Sequence, residues 1–571
     1  MVAQKQIAPP GSSFGWADLL VLGLLIAMVY AVIAVAREWT GPLQTHLEIQ
    51  THAKYLPLYA LFSLTRGLCA YGISFLFTLV YGYTMARARG AERVMLPVLD
   101  ILQSIPVLGF LPGFVLGLVH LFPHRNFGLE LASVLMIFTG QAWNMTFSFY
   151  SSLKAIPPDL VAVSRLTKMS WWERFLRLEL PFSATGLVWN SMMSMAGGWF
   201  FLMVSEAFVL GEHDFRLPGL GSYMSVAIER GDVPAQIMGV LAMLALIAFF
   251  DQLVWRPVVA WSQKFTDEEN TSNPSSWVWE RIQRSKVWSS ISSPVGFLWR
   301  RSRPVLETTM NSSKFPKGVS SRMLWTLRWI LGTGILLGIT LGLLRYAQLL
   351  TTLTRSDWLH LLASMLATFL RVGTSVLLAT LWTVPVGVLI GSNPRWTRVC
   401  QPLIQMAASF PAPMIFPLIV ATMMRFGVGL GISSVVLLLL GTQWYVLFNV
   451  IAGASLIPKE FWEVSHLARF TVFHRWQKLI LPALFPSLLT GWITAMGGGW
   501  NASIVAEYMK FRGETLTTTG LGSTISQATE QGDFHILAAA IGVMALAVVG
   551  LNRLVWHPLS HRAQTRYSIS S

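Results

Sequence analysis

Charge is scarce in this chain and cysteine almost absent. Only 12% of the 571 residues are charged while 53% are hydrophobic, and the mean hydropathy is +0.54. A soluble domain carries about twice that share of charge, so a soluble enzyme or soluble binding module is excluded. The two cysteines, Cys69 in an apolar run and Cys400 beside a basic loop, build no disulfide framework and show no metal spacing. No Gly-Lys dipeptide occurs anywhere, so the chain holds no P-loop. Strict polar and apolar alternation is also missing, which excludes a membrane barrel.

What is present is a set of long apolar runs. Leu19 to Ala36, Gly67 to Ala86 and Ile237 to Val254 approach the roughly 20 residues a helix needs to cross about 30 Å of hydrocarbon. Helices satisfy their own backbone inside a bilayer, so the class is an all-α polytopic membrane protein. Ala34-Val35-Ala36 imitates a signal-peptidase site. Its apolar run is longer than a usual signal core, and Trp329 to Leu344 repeats the run without the site, so the segment reads as retained. The net charge of +15 lies between and beside apolar segments rather than on one soluble face, which argues against a nucleic-acid partner.

The chain is a duplication. "LTKMSWWERFLRLELP" ending at Pro181 returns as "LARFTVFHRWQKLILP" ending at Pro482, an offset of 482 − 181 = 301 residues. At that offset "GGWFFLMVSEAF" from Gly197 overlies "GGWNASIVAEYM" from Gly498, and "GLGS" from Gly219 overlies "GLGS" from Gly520. Upstream, Arg66, Gly82 and Pro106 overlie Arg371, Gly387 and Pro411 at an offset of 305.

Each module shows about six apolar segments, for about twelve transmembrane helices in all. The first module reads 15–36, 60–86, 94–121, 128–152, 182–210 and 233–258, and the second 324–345, 359–391, 400–425, 429–453, 483–508 and 534–556. An even number per module implies two parallel repeats about an axis along the membrane normal. The expected division is residues 1–261, a polar linker at 262–322, and residues 323–571. Lys and Arg concentrate in the linker and in the loops of one side, including Arg87, Arg89, Arg93, Lys154 and Lys168, which places linker and both termini in the cytoplasm. Trp277, Trp279, Trp288 and Trp299 beside Arg read as interfacial anchors on lipid.

The opening repeat then falls in a cytoplasmic loop between the fourth and fifth segments of each module. Ile156-Pro157-Pro158-Asp159 reads as a helix start. Trp171, Phe175 and Leu178 make an apolar stripe beside Arg174 and Arg177, repeated as Val472, Trp476 and Leu479 beside Arg475 and Lys478. Two such elements in register read as docking elements.

These residues resemble the permease subunit of binding-protein-dependent ABC importers. The cytoplasmic loop of that family runs Glu-Ala-Ala, three residues, Gly, nine residues, Ile, one residue, Leu-Pro. Here the matching positions are Ala162, Val163, Ser164, Lys168, Leu178 and Leu180-Pro181, then Glu463, Val464, Ser465, Arg469, Leu479 and Leu481-Pro482. The glycine is replaced by Lys168 and Arg469, so either the turn differs in shape or the basic side chain meets an acidic partner. "LPGLGSYMSVAIERGD" and "FFDQLVWRPVVAW" further resemble the nitrate, sulfonate, taurine and bicarbonate class, in a duplicated arrangement similar to fused permease components of anion systems. The resemblance covers nearly the whole chain except the linker and the extreme N-terminus.

The resemblance implies a type I importer permease of the bacterial inner membrane, not itself an enzyme. It implies two copies of a separate ABC ATPase carrying ATP and Mg, with an extracytoplasmic binding protein as a further candidate partner and no cofactor on this chain. Candidate pathway residues are Gly197, Gly198, Trp199 and Glu206 with Gly498, Gly499, Trp500, Asn501 and Glu507. The glycines are expected to permit close backbone approach and to free amides towards an anion. Glu206 and Glu507, within spans, are read as structural or gating groups. Arg66 and Arg371 are candidates for attracting an anion, against snorkelling to headgroups. Asn190 and Asn501 differ from their repeat mates Gly491 and Phe200, so the pathway need not be symmetric. The rival reading is an ion-gradient-driven secondary transporter of two six-helix halves. A membrane scaffold that moves nothing leaves the paired intramembrane Glu and Gly residues unexplained.

Overall fold

Apolar runs with few breakers become long helices, and prolines mark where they stop. The computed structural model describes residues 33–41, 48–88, 90–104, 107–210, 213–265, 321–511 and 513–566, with Gly23 and Tyr30. Most of the expected first span, 15–36, lies outside the described residues, as does the linker from 266 to 320.

The two modules repeat one another element by element. Second-segment helices run Leu56–Phe77, continued through a π turn to Arg87, and Arg355–Gly391. Fourth-segment helices are Phe127–Lys154 and Leu430–Ser455, and fifth-segment helices are Leu180–Glu206 and Leu481–Ala506. Each fifth helix runs into a hairpin, Ala207–Leu210 with His213–Arg216 or Tyr508–Phe511 with Glu514–Thr517, both antiparallel. The short helices Leu220–Glu229 and Leu521–Gln531 follow, then the sixth-segment helices Val233–Phe250 and Phe534–Leu551, each prolonged by a π turn. The hairpins correct the expected segment 182–210, whose last four residues are strand.

The third segments also differ from expectation. Neither is one helix: Ala91–Ser104 and Leu111–Leu121 flank a 3-10 turn at Val107–Phe110, and Pro394–Ser409 and Phe416–Arg425 flank one at Ala412–Met414. Proline supplies no N–H and disfavours a helical residue before it, and Pro411 and Pro413 sit at the second of these breaks. Seven helical stretches among the described residues are long and apolar enough to span a membrane. Phe127–Lys154, with 28 residues, is the repeat mate of one of the seven, Leu430–Ser455.

In each module the fourth helix packs between the second and the fifth. Lipid offers no hydrophobic drive for such contacts, so close approach at small residues replaces it. A Cβ on Gly82 would lie 2.9 Å from the Phe149 ring, and one on Gly387 would lie 2.7 Å from Val450. The larger core draws on both modules, joining Trp199, Tyr223 and Phe250 to Met414, Trp500, Leu521 and Leu537. The repeats therefore fold against one another.

Candidate functional site

Each loop between the fourth and fifth segments is a helix, a tight turn and a second helical start. The helices are Pro158–Leu166, with Asp159 in its first turn, and Lys459–Leu467, with Glu460 in its first turn. Both end in the same way. Met169 N–H donates to Ser164 O at 3.1 Å and Lys168 N–H to Arg165 O at 3.0 Å; Phe470 and Arg469 N–H groups repeat these bonds to Ser465 and His466 at 3.0 Å each. This is the paired bonding of a left-handed helix cap. Lys168 and Arg469 carry its positive φ of 51° and 52°. The turn thus keeps the shape glycine would give it, at a cost of about 1 kcal/mol per site. Among the described residues neither side chain makes an ion pair, so no acidic partner compensates. Lys168→Gly is therefore expected to keep the loop intact and raise stability by up to about 1 kcal/mol, whereas the β-branched Lys168→Val lowers it. Thermal unfolding of the purified chain checks the order Gly, Lys, Val.

Ser164 and Ser465 are buried, and Ala162 and Glu463 exposed. The exposed face of each loop helix is apolar and in register. Leu160, Val163 and Leu166 are 42%, 52% and 82% exposed, and their repeat mates Phe461, Val464 and Leu467 are 44%, 57% and 83% exposed. The predicted stripe through Trp171, Phe175 and Leu178 holds only in part, because a π turn at Phe175–Glu179 alters the spacing; Phe175 is buried and Trp171 exposed.

The two loops are fastened differently. The fully buried Glu179 carboxylate accepts from Arg87 and Arg174, each at 2.9 Å. Glu92 accepts from Lys154 Nζ and Tyr150 OH, each at 2.5 Å. The mates of Glu179, Arg87, Glu92 and Lys154 are Ile480, Ser392, Thr397 and Ser455, which form no such clamp. Arg475, the mate of Arg174, reaches only His466, at 3.5 Å.

The paired glutamates organise the opposite end of each module. Glu206 and Glu507 are fully buried. Glu206 accepts from Ser63 Oγ at 2.7 Å, Gly221 N–H at 2.8 Å and Arg66 Nη1 at 2.7 Å. Glu507 accepts from Thr368 Oγ1, Gly522 N–H and Arg371 Nη1, each at 2.9 Å. Ser63 and Thr368 in turn accept the Leu220 and Leu521 N–H groups, each at 2.9 Å. A Cβ on Gly219 or Gly520 would lie 2.3 or 2.2 Å from these carboxylates, which explains the repeated Gly-Leu-Gly-Ser. Arg66 alone also binds Glu130, Nη2 to Oε1 at 2.7 Å. Its module therefore has two buried carboxylates per guanidinium where the other has one.

This corrects the expectation that Arg66 and Arg371 attract an anion. Neither lines the cavity between the repeats, and their charge is met by carboxylates. The expected free amides are corrected as well: Gly197, Gly198, Gly498 and Gly499 lie inside unbroken α-helices, whose N–H groups bond within the helix. Close packing occurs at Gly198, Gly498 and Gly499 but not at Gly197, where a Cβ would come no nearer than 3.6 Å to Gly140 O. A Cβ on Gly198 would meet Gln141 at 2.3 Å and one on Gly499 would meet Val372 at 2.6 Å.

Between the repeats lies a cavity of about 230 Å³. Gly197, Gly497, Gly498, Trp500 and Asn501 line it; Gly198, Trp199, Gly499, Glu206 and Glu507 do not. Residues the sequence reading missed complete it, among them Gln103, Trp143, Asn144, Gln405, Tyr445, Thr494 and Asn552. Among the described residues no charged side chain lines it. The indole N–H groups of Trp143 and Trp500 have no hydrogen-bond partner there. The walls are unequal, since the fifth helices oppose Met193 and Phe200 to Thr494 and Asn501.

The family model described as binding-protein-dependent transport system inner membrane component matches the chain twice, at residues 78–254 and 383–557. The chain belongs to that family. The permease is 26% identical over 189 residues to the taurine transport system permease protein of Escherichia coli, covering 33% of this chain and 64% of that protein. It is 28% identical over 165 residues to a putative aliphatic sulfonates transport permease protein of Bacillus subtilis, covering 29% and 55%. Over 189 residues it is 24% identical to the nitrate import permease protein of Leptolyngbya laminosa, covering 33% and 64%. The permease thus spans less than two thirds of the length of these relatives. The two matched stretches each contain the loop, the fifth helix and the sixth, so the duplication read from the offset of 301 is a duplicated permease domain.

Proposed function

We propose that this chain is the transmembrane subunit of an ABC importer for a small anion, with both permease repeats in one polypeptide. Residues 1–261 and 323–571 form the halves and 262–322 join them on the cytoplasmic side, where both termini lie. The two loops seat on two copies of a separate ATPase, which bind ATP and Mg, and an extracytoplasmic binding protein delivers the solute. The rival secondary transporter loses its ground with the family match at both repeats.

One observation carries the coupling: six apolar side chains at matching positions of the two loop helices stand in the open, where no described element covers them. A large exposed apolar patch in register marks an interaction surface rather than a surface left over. Anion transport is supported by the relatives, named for taurine, sulfonates and nitrate, and by a cavity small enough for such solutes. Neutral donors there suit a pathway that must release what it binds.

The test is purification of the full chain from its own membrane in mild detergent, with identification of co-purifying proteins and measurement of anion-stimulated ATP hydrolysis. Leu166→Asp with Leu467→Asp is expected to abolish co-purification of the ATPase without changing yield, because both side chains are over four-fifths exposed. Charge reversal at Lys168 and Arg469 is expected to weaken it. An ATPase retained by all these variants would refute the docking.

A further inference from the structure

A second cavity, of about 290 Å³, lies between the repeats on the hairpin side of the first. The two cavities share no lining residue, yet the same four elements line both. Each crosses over within one or two residues: Val107 to Leu108, Phe201 to Met203, Ala412 to Pro413, and Ala502 to Ile504. The partition between the cavities is therefore these four crossings, two from each repeat.

The side chains that line the cavities at the crossings are apolar, and one crossing makes a polar contact to the other repeat. Val107 opens a 3-10 turn just after the broken third-segment helix and is 8% exposed. Its N–H donates across the repeat boundary to Asn501 Oδ1 at 2.8 Å. Asn501 is held for that role by its own helix, with Nδ2 donating to Gly497 O at 3.3 Å. At the quasi-equivalent position the pair is Ala412 and Phe200, and a phenylalanine ring accepts nothing from the Ala412 N–H. Phe200 instead packs on the second module's apolar cluster, which contains Ala412. The two crossings are otherwise alike, since each fifth helix touches the other module's 3-10 turn.

We infer that the Asn501 to Val107 hydrogen bond is the latch of the gate between the two cavities, and that the gate is latched on one side only. This rests on the transport reading above. A bond between elements of different repeats has to break whenever the partition opens, and nothing in the mirror position has to. Asn501 is thus a gating residue, positioned by Gly497, rather than a solute ligand.

The test uses the full chain in liposomes without any ATPase, with nitrate and taurine as flux probes. Asn501→Leu keeps the branching at Cγ, though with a larger side chain, and removes the acceptor; it is expected to raise passive flux about three- to tenfold, the population shift carried by one neutral hydrogen bond. Val107→Pro removes the donor and should do the same, and the double variant should leak no more than either single one. Phe200→Asn offers Ala412 an acceptor and should bring flux below the wild-type level. Wild-type flux in Asn501→Leu, or additive effects in the double variant, overturns the latch. Elution as a single species with an unchanged unfolding midpoint separates leak from misfolding. The ATPase test of the preceding section is independent, so a failed motor assignment leaves this result readable.

Discussion

Replacing Arg66 by alanine is expected to prevent the chain from accumulating in the membrane in folded form. Glu130 and Glu206 are both fully buried, and Arg66 is the cation that binds both. Removing it leaves two carboxylates facing each other without neutralisation, at a cost of about 3–5 kcal/mol or more. Arg371→Ala should be milder. Only Glu507 loses its cation there, and it keeps the Thr368 and Gly522 donors. The position of Glu130 is Gly431 in that repeat, so no second carboxylate is stranded. Unfolding midpoints in detergent should fall in the order wild type, Arg371→Ala, Arg66→Ala. Because a buried ion cluster often contributes little net stability, Arg66→Met combined with Glu130→Gln and Glu206→Gln should recover most of the loss. Equal damage from the two arginine replacements would mean that the extra carboxylate plays no part.

A smaller but clear loss is expected from one methyl group at Gly522. Its Cβ would lie 2.3 Å from Ser503 O and 2.4 Å from Ser503 C, both backbone atoms of a packed helix. Backbone cannot rotate aside as a side chain can, so the helices must separate, and Gly522→Ala should cost about 1–3 kcal/mol or more. Separation also stretches the Gly522 N–H bond to Glu507, 2.9 Å in the intact protein. Gly497→Ala is the matched control. Nothing lies within 4 Å of its added Cβ, and alanine in a helix gains about 0.5–1 kcal/mol over glycine. Circular dichroism melts of the two variants should therefore move in opposite directions.

Why these glycines differ shows what could be read from the residues alone. The duplication, the loop helices and the fifth-segment Gly and Glu pairs are legible because a repeated letter at a repeated offset needs no geometry. Lys168 and Arg469 are visible as departures from a glycine pattern, but only the backbone φ of the folded chain shows that the turn itself is kept. The partners of Glu206 and Glu507 were less legible. Ser63 and Thr368 differ in letter and stand 143 and 139 residues away in sequence, linked only by a shared hydroxyl. Arg66 and Arg371 are legible as repeat mates, yet a lone arginine in a span gives no sign of whether it faces lipid, solute or carboxylate. Asn501 stood out by differing from Phe200, and that was the signal of asymmetry. Its partner is a backbone N–H 394 residues away, and main-chain donors leave no trace in a sequence.

The unequal fastening of the loops has a mechanical consequence. In an assembly of two identical chains every substitution appears on both arms at once, so stiffness stays matched. Here one polypeptide holds both arms, with Glu179 and Glu92 bracing the first and Ile480 and Thr397 in their places on the second. Under the same push, a braced lever carries load into the bundle while an unbraced one bends first, so equal forces on the two loops would move them by unequal amounts.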